Sequence, residues 1–213
     1  MRILMQRLPG TVPDKTGGLR DTMASHRVKL LLALAVVVGA LFGVLLAARA
    51  DADILMKLDF LFNSNYTQRS SMPSATIFIA SSASTFLFLL VCFLFGLAVW
   101  GIALAPFLPF IRGIGLGMTS GYLYVTEGGW GALFYLIVLL PGAFVSCIAI
   151  LLGAESAMDF SKSLRKSGFA ECAEDPPSTS RYIQRLGAAL LLGFFGAVLD
   201  TLLAAAFARC FPF

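Results

Sequence analysis

From Arg112 to Lys166 the chain reads RGIGLGMTSGYLYVTEGGWGALFYLIVLLPGAFVSCIAILLGAESAMDFSKSLRK, two apolar stretches joined by a glycine turn. A soluble core has no use for that much uninterrupted apolar sequence, whereas a bilayer needs roughly 20 such residues per helical span. In the first stretch Gly113, Gly117 and Gly121 recur every fourth residue. That spacing puts them on one helix face, where the missing side chains let a neighbouring backbone come close. The face is therefore expected to lie against protein rather than lipid. In the second stretch Pro141 and Gly142 fall near the middle of a span. A missing N–H and a ring clash there predict a kink.

Composition extends this to the whole chain. With 58% hydrophobic and 13% charged residues over 213 positions, it reads as an all-α integral membrane bundle with little soluble mass and no second folded domain. The expected spans are 30–48, 76–104, 111–125, 130–153 and 186–208, five in all. The third, about fifteen residues or roughly 22 Å at 1.5 Å per residue, is the shortest. Residues 1–29 read as a disordered basic cytoplasmic tail, with Met23 an economical alternative start, and 30–213 as a single transmembrane domain. Ala48-Arg49-Ala50 resembles a signal-peptidase site, but a nineteen-residue run suits an uncleaved anchor better. ILMKLDFLF, after Asp53, reads as an amphipathic segment at the outer interface, and 155–185 as a cytoplasmic loop. With the N-terminus inside and the C-terminus outside, twelve Lys and Arg fall inside, among them Arg112 in a short inner turn before the third helix, and four outside. Cytoplasmic segments carry such an excess, so a pI near 9.0 is a topology signal here and not a nucleic-acid one.

The sequence offers no catalytic constellation. A membrane-embedded enzyme needs paired aspartates, a serine with a base, or a histidine-carboxylate metal site at one depth. The single histidine, His26, lies in the basic tail, and no two of the four cysteines have a CxxC spacing. Ser120-Gly121 has Met118 where an intramembrane serine protease would carry glycine. Catalytic residues, metal and cofactor are thus all expected to be absent. In the last span Ala189, Gly193 and Ala197 form a small-residue stripe, and Asp200 follows one turn on. An acid within a span costs several kcal/mol unless it is paired, protonated or wetted. Asp200 is therefore expected either to fix a helix contact or to couple an ion or proton, and the bundle to be open to self-association.

The same block resembles the stage II sporulation protein M family. Arg112-Gly113 opens the third helix with Gly117 one turn on, Gly129-Trp130 sits in the turn, Pro141 lies in the fourth helix, and Asp200 supplies the acid of the last helix. The resemblance runs from about residue 30 to the C-terminus. It departs from the family pattern where many members carry Glu-Leu-Pro-Ala, which is Ser146-Cys147-Ile148-Ala149 here. The resemblance implies a non-catalytic, multi-pass plasma-membrane scaffold. Such a scaffold would anchor the extracytoplasmic peptidoglycan hydrolases, stage II sporulation proteins D and P, during engulfment. Its partners would be the lipid bilayer and those hydrolases. The competing expectation is the membrane subunit of a transporter, with Asp200 as its coupling residue beside a proline-broken helix.

Overall fold

A computed structural model describes residues 15–49, 74–169 and 179–207, all of them helical or in short turns between helices. In order these are α1 (Lys15–Arg49), α2 (Ser74–Leu97), α3 (Gly101–Leu104), α4 (Phe107–Phe134), a π-helical turn (Tyr135–Leu139), α5 (Leu140–Phe169) and α6 (Thr179–Phe207). Five stretches are long and apolar enough to cross a membrane: Arg27–Arg49, Ala75–Leu97, Gly101–Thr126, Gly128–Arg165 and Thr179–Phe207.

Several boundaries differ from the sequence reading, each for a local reason. The second span stops at Leu97, and a turn over residues 98–100 separates it from α3, which belongs to the third crossing. Pro106 and Pro109 look like terminators of a preceding helix, but they stand at the N-cap and in the first turn of α4. The first backbone N–H groups of a helix have no intrahelical acceptor, so prolines there cost little. From Phe107 to the break at Gly128 the third crossing is roughly 30 Å long at 1.5 Å per residue, not the short segment expected. α1 begins at Lys15, so the second half of the stretch read as a disordered tail is helical. No proline interrupts it, and extending a formed helix costs far less than starting one. Most of the expected loop 155–185 is also helix, as α5 runs to Phe169 and α6 starts at Thr179. Residues 1–14, the ILMKLDFLF segment within 50–73, residues 170–178 and residues 208–213 lie outside the described residues.

Two breaks shape the hairpin of the third and fourth crossings. Gly128 adopts φ 60°, ψ −136°, a conformation that only glycine takes up readily, and the chain reverses there. Pro141 cannot donate to the carbonyl one turn back, and its ring would strike that carbonyl in a regular helix. The π turn before it absorbs the mismatch, with the Leu140 N–H donating to the Tyr135 carbonyl five residues earlier. The expected kink is thus a local widening of the helix.

The bundle has two parts. α1 packs along α4, while α2, α5 and α6 pack on one another, and α5 and the π turn join the two groups. One apolar cluster, with Leu32, Cys92, Leu108 and Ala154, fills the end where the first span begins. Another, with Ile77, Leu123, Phe134, Val138 and Ala204, fills the end where α4 reverses. Between them, on each of α2, α4, α5 and α6, lies a layer of polar residues.

Candidate functional site

Serine, threonine, glycine and alanine are too small to fill the space between four helices, and where they coincide in depth a cavity of about 340 Å³ remains. α2 contributes Ser81, Thr85 and Phe88, and α4 contributes Arg112 and Thr119. Gly142, Ser146, Gly196 and Asp200 line the opposite side, from α5 and α6.

Arg112 is the principal cation of this layer. Its Nη1 donates to Ser84 Oγ at 3.3 Å and its Nη2 to Ser146 Oγ at 2.9 Å. The guanidinium also stands over the Phe88 ring, 5.7 Å from its centroid. Nε is buried with no hydrogen-bond acceptor. Ser84 lies near the middle of the Ala75–Leu97 span and Ser146 near the middle of Gly128–Arg165, so the charge sits deep within the bundle. This corrects the sequence reading, in which Arg112 marked a short inner turn and counted as a loop charge. The prolines just before it suggested a helix end, whereas α4 begins at Phe107 and carries Arg112 inward.

Asp200 is buried, at 7% exposure, and accepts a hydrogen bond from Ser81 Oγ. Gly142 makes room for it, since a Cβ on Gly142 would lie 2.7 Å from Asp200 Cβ and 3.1 Å from its Cα. Ser81 is one turn before Ser84 on α2, and Gly142 one turn before Ser146 on α5. Asp200 therefore stands about one helical turn, roughly 5 Å, from the Arg112 layer by either helix.

The other residues singled out from sequence fall in three places. Gly113, Gly117 and Gly121 face α1: a Cβ on Gly113 would strike the Val36 carbonyl, one on Gly117 the Ala40 backbone, and one on Gly121 Ala47 Cβ at 2.7 Å. Gly193 faces α2, where a Cβ would meet Thr85 Cγ2 at 2.6 Å. Gly129 and Trp130 are exposed beside the Gly128 reversal and touch no other part of the site.

Sequence reasoning missed the other half of the glycine contact. Gly39 and Gly43 on α1 lie against Phe110, Ile114 and Met118 of α4, and their own four-residue spacing was the available signal. It also missed two hydroxyls that fasten the far end of α2. Ser161 donates to the carbonyls of Ala98 and Val99 at 2.8 and 3.2 Å, and Tyr182 to those of Cys92 and Phe93 at 3.3 and 3.1 Å. Tyr182 is also stacked between Phe160 and Phe93. The Ala98 carbonyl also accepts from the Gly101 N–H at 3.0 Å, so these hydroxyls add side-chain bonds to the backbone at and just before the end of α2. Nearby, Lys29 pairs with Glu155 at 3.5 Å and Arg185 with Asp159 at 3.3 Å, gathering charge at one end of the bundle.

A family model described as Stage II sporulation protein M matches residues 31–208, from the first span to the end of the last. The chain belongs to that family. The stage II sporulation protein M match takes in the glycine contact, the proline-widened helix and both charged residues of the cavity. It makes the chain a multi-pass membrane protein of a sporulation family. No curated protein and no solved structure shows significant similarity to it.

Proposed function

We propose that this protein is a non-catalytic scaffold of the plasma membrane, holding extracytoplasmic peptidoglycan hydrolases, stage II sporulation proteins D and P, in place during engulfment. The observation that carries the reading is the family match, which spans the bundle from α1 to α6. The use of polar side chains supports it, because Ser161, Tyr182 and the Arg112 hydroxyl contacts tie helices to one another. A bundle so fastened suits a platform for other proteins. The test is affinity purification of the full chain in mild detergent from its native host during sporulation. Wall hydrolases should co-purify, and their absence from cross-linked as well as native samples would remove the scaffold reading.

The cavity favours a second reading, the membrane subunit of a transporter. An arginine and an aspartate facing one space deep in a bundle are expensive, and such pairs mark solute or ion routes. In that case the same purification should recover a cytoplasmic ATPase instead of hydrolases.

A further inference from the structure

The four-helix cavity holds more charge than helix packing explains. Arg112 reaches only neutral groups, the Ser84 and Ser146 hydroxyls and the Cys147 thiol, although a guanidinium carries five N–H donors in a fork that matches an oxyanion. Its Nε–H is buried without an acceptor, which leaves a strong donor unused in a low-dielectric layer. A plain packing role would be served at lower cost by glutamine. A free anion alone is an equally poor fit, because the carboxylate of Asp200 lines the same space about one turn, roughly 5 Å, away. A group that matches both charges carries an anion and a cation a few ångströms apart. Thr85 and Thr119 add hydroxyls to the wall, Phe88 and Leu139 add apolar surface, and about 340 Å³ is at the lower end of the range for small-molecule sites.

We propose that the cavity between α2, α4, α5 and α6 binds a small zwitterion, its carboxylate or phosphate on the guanidinium of Arg112 and its ammonium on Asp200. The two terminal nitrogens carry four N–H groups, of which Ser84 and Ser146 take one each, so an oxyanion can accept charge-assisted hydrogen bonds from the others while the serines hold the fork in orientation. Two sources supply this chemistry: a free amino acid, or the phosphoethanolamine head of a phospholipid. The site does not depend on the scaffold reading, since a bundle can carry a ligand and hold partners at once.

The test uses the full chain in nanodiscs of pure phosphatidylglycerol, titrated by calorimetry with glycine, alanine and phosphoethanolamine. Acetate, inorganic phosphate and ethylamine, which carry one sign of charge only, serve as comparison probes. A parallel arm follows phosphatidylethanolamine retained on the protein by native mass spectrometry, against phosphatidylglycerol. A free solute source predicts saturable binding of an amino acid, and a lipid source predicts retention of phosphatidylethanolamine. In either arm Arg112→Gln and Asp200→Asn should each weaken binding about tenfold or more, the effect of losing one charged hydrogen bond. Ala143→Leu keeps both charges and fills the space, so it should abolish binding even if the charge variants fail to insert. Absence of binding in both arms, equal binding of the single-charge probes, or binding indifferent to Ala143→Leu would each overturn the proposal and leave a water-filled cavity.

Discussion

A charged or strongly polar side chain inside a span survives only where its donors and acceptors are met, so single atoms decide the fate of this bundle. Ser146 Oγ accepts from Arg112 Nη2 at 2.9 Å while donating to the Ala143 carbonyl of its own helix at 2.8 Å. Ser146→Ala removes the acceptor and leaves a buried guanidinium N–H unmet, a loss of about 1–3 kcal/mol. Ser156, whose hydroxyl donates to the Leu152 carbonyl of the same helix, is the control, and Ser156→Ala should stay within about 1 kcal/mol of the parent. Thermal melting of both variants in one detergent measures the difference. Asp200→Asn keeps an oxygen for the Ser81 hydroxyl and should accumulate in the membrane at close to the parent level. Asp200→Leu leaves that hydroxyl unmet and sets two methyl groups where the carboxylate oxygens stood, so its level should fall severalfold, as read by immunoblot of membranes. Asp200 was visible in the sequence because an acid stands out in an apolar run. Arg112 was visible as a residue but not as a site, because its direction depends on where α4 begins. The serines that hold it carry no sequence signal that separates them from serines bonded to their own helix.

Helix contacts obey a coarser rule, set by how closely two backbones can approach. On α4 the glycine row at 113, 117 and 121 meets a second row on α1, with Gly39 and Gly43 lying against α4 backbone. Without a hydrophobic driving force inside a bilayer, such close contact is what holds two spans together. Gly117→Leu would drive its side chain into the Ala40 backbone, so α1 and α4 should separate and the protein should insert but fail to accumulate. Normal levels and normal partner recovery would show that the contact is dispensable. Gly187 is the opposite case, a glycine inside α6 with nothing within 4 Å of a would-be Cβ. Gly187→Ala should raise stability by about 0.5–1 kcal/mol, visible as a higher melting temperature. The helical class, the count of five spans and the four-residue glycine period were all legible, because hydropathy and periodicity are local properties. Helix ends were not. Pro106 and Pro109 stop one helix or start the next with the same chemistry, and only the tertiary course of the chain chooses between them.

At the scale of the molecule the unequal distribution of charge argues for one orientation. The start of the first span, the end of α5 and the start of α6 come together at one end, where Lys29–Glu155 and Arg185–Asp159 pairs form among exposed basic residues. With Arg112 moved from the loops into the cavity, eleven of the 16 Lys and Arg remain on the side assigned to the cytoplasm against four on the other. The asymmetry survives the correction, and on the positive-inside rule we propose that this end faces the cytoplasm. The Gly128 reversal, at the opposite end of α5, should then face outward. Cys92 and Cys147 are buried, so replacing Cys172 and Cys210 by serine leaves a background suited to single reporters. Gly129→Cys, exposed beside the reversal, should react with an impermeant maleimide on intact cells. Arg181→Cys, exposed at the start of α6, should react only after permeabilisation. The reverse pattern would invert the orientation. Equal labelling of both positions on intact cells would mean that the proline-widened helix between them does not cross, and with it the cavity would lose the wall that carries Gly142 and Ser146.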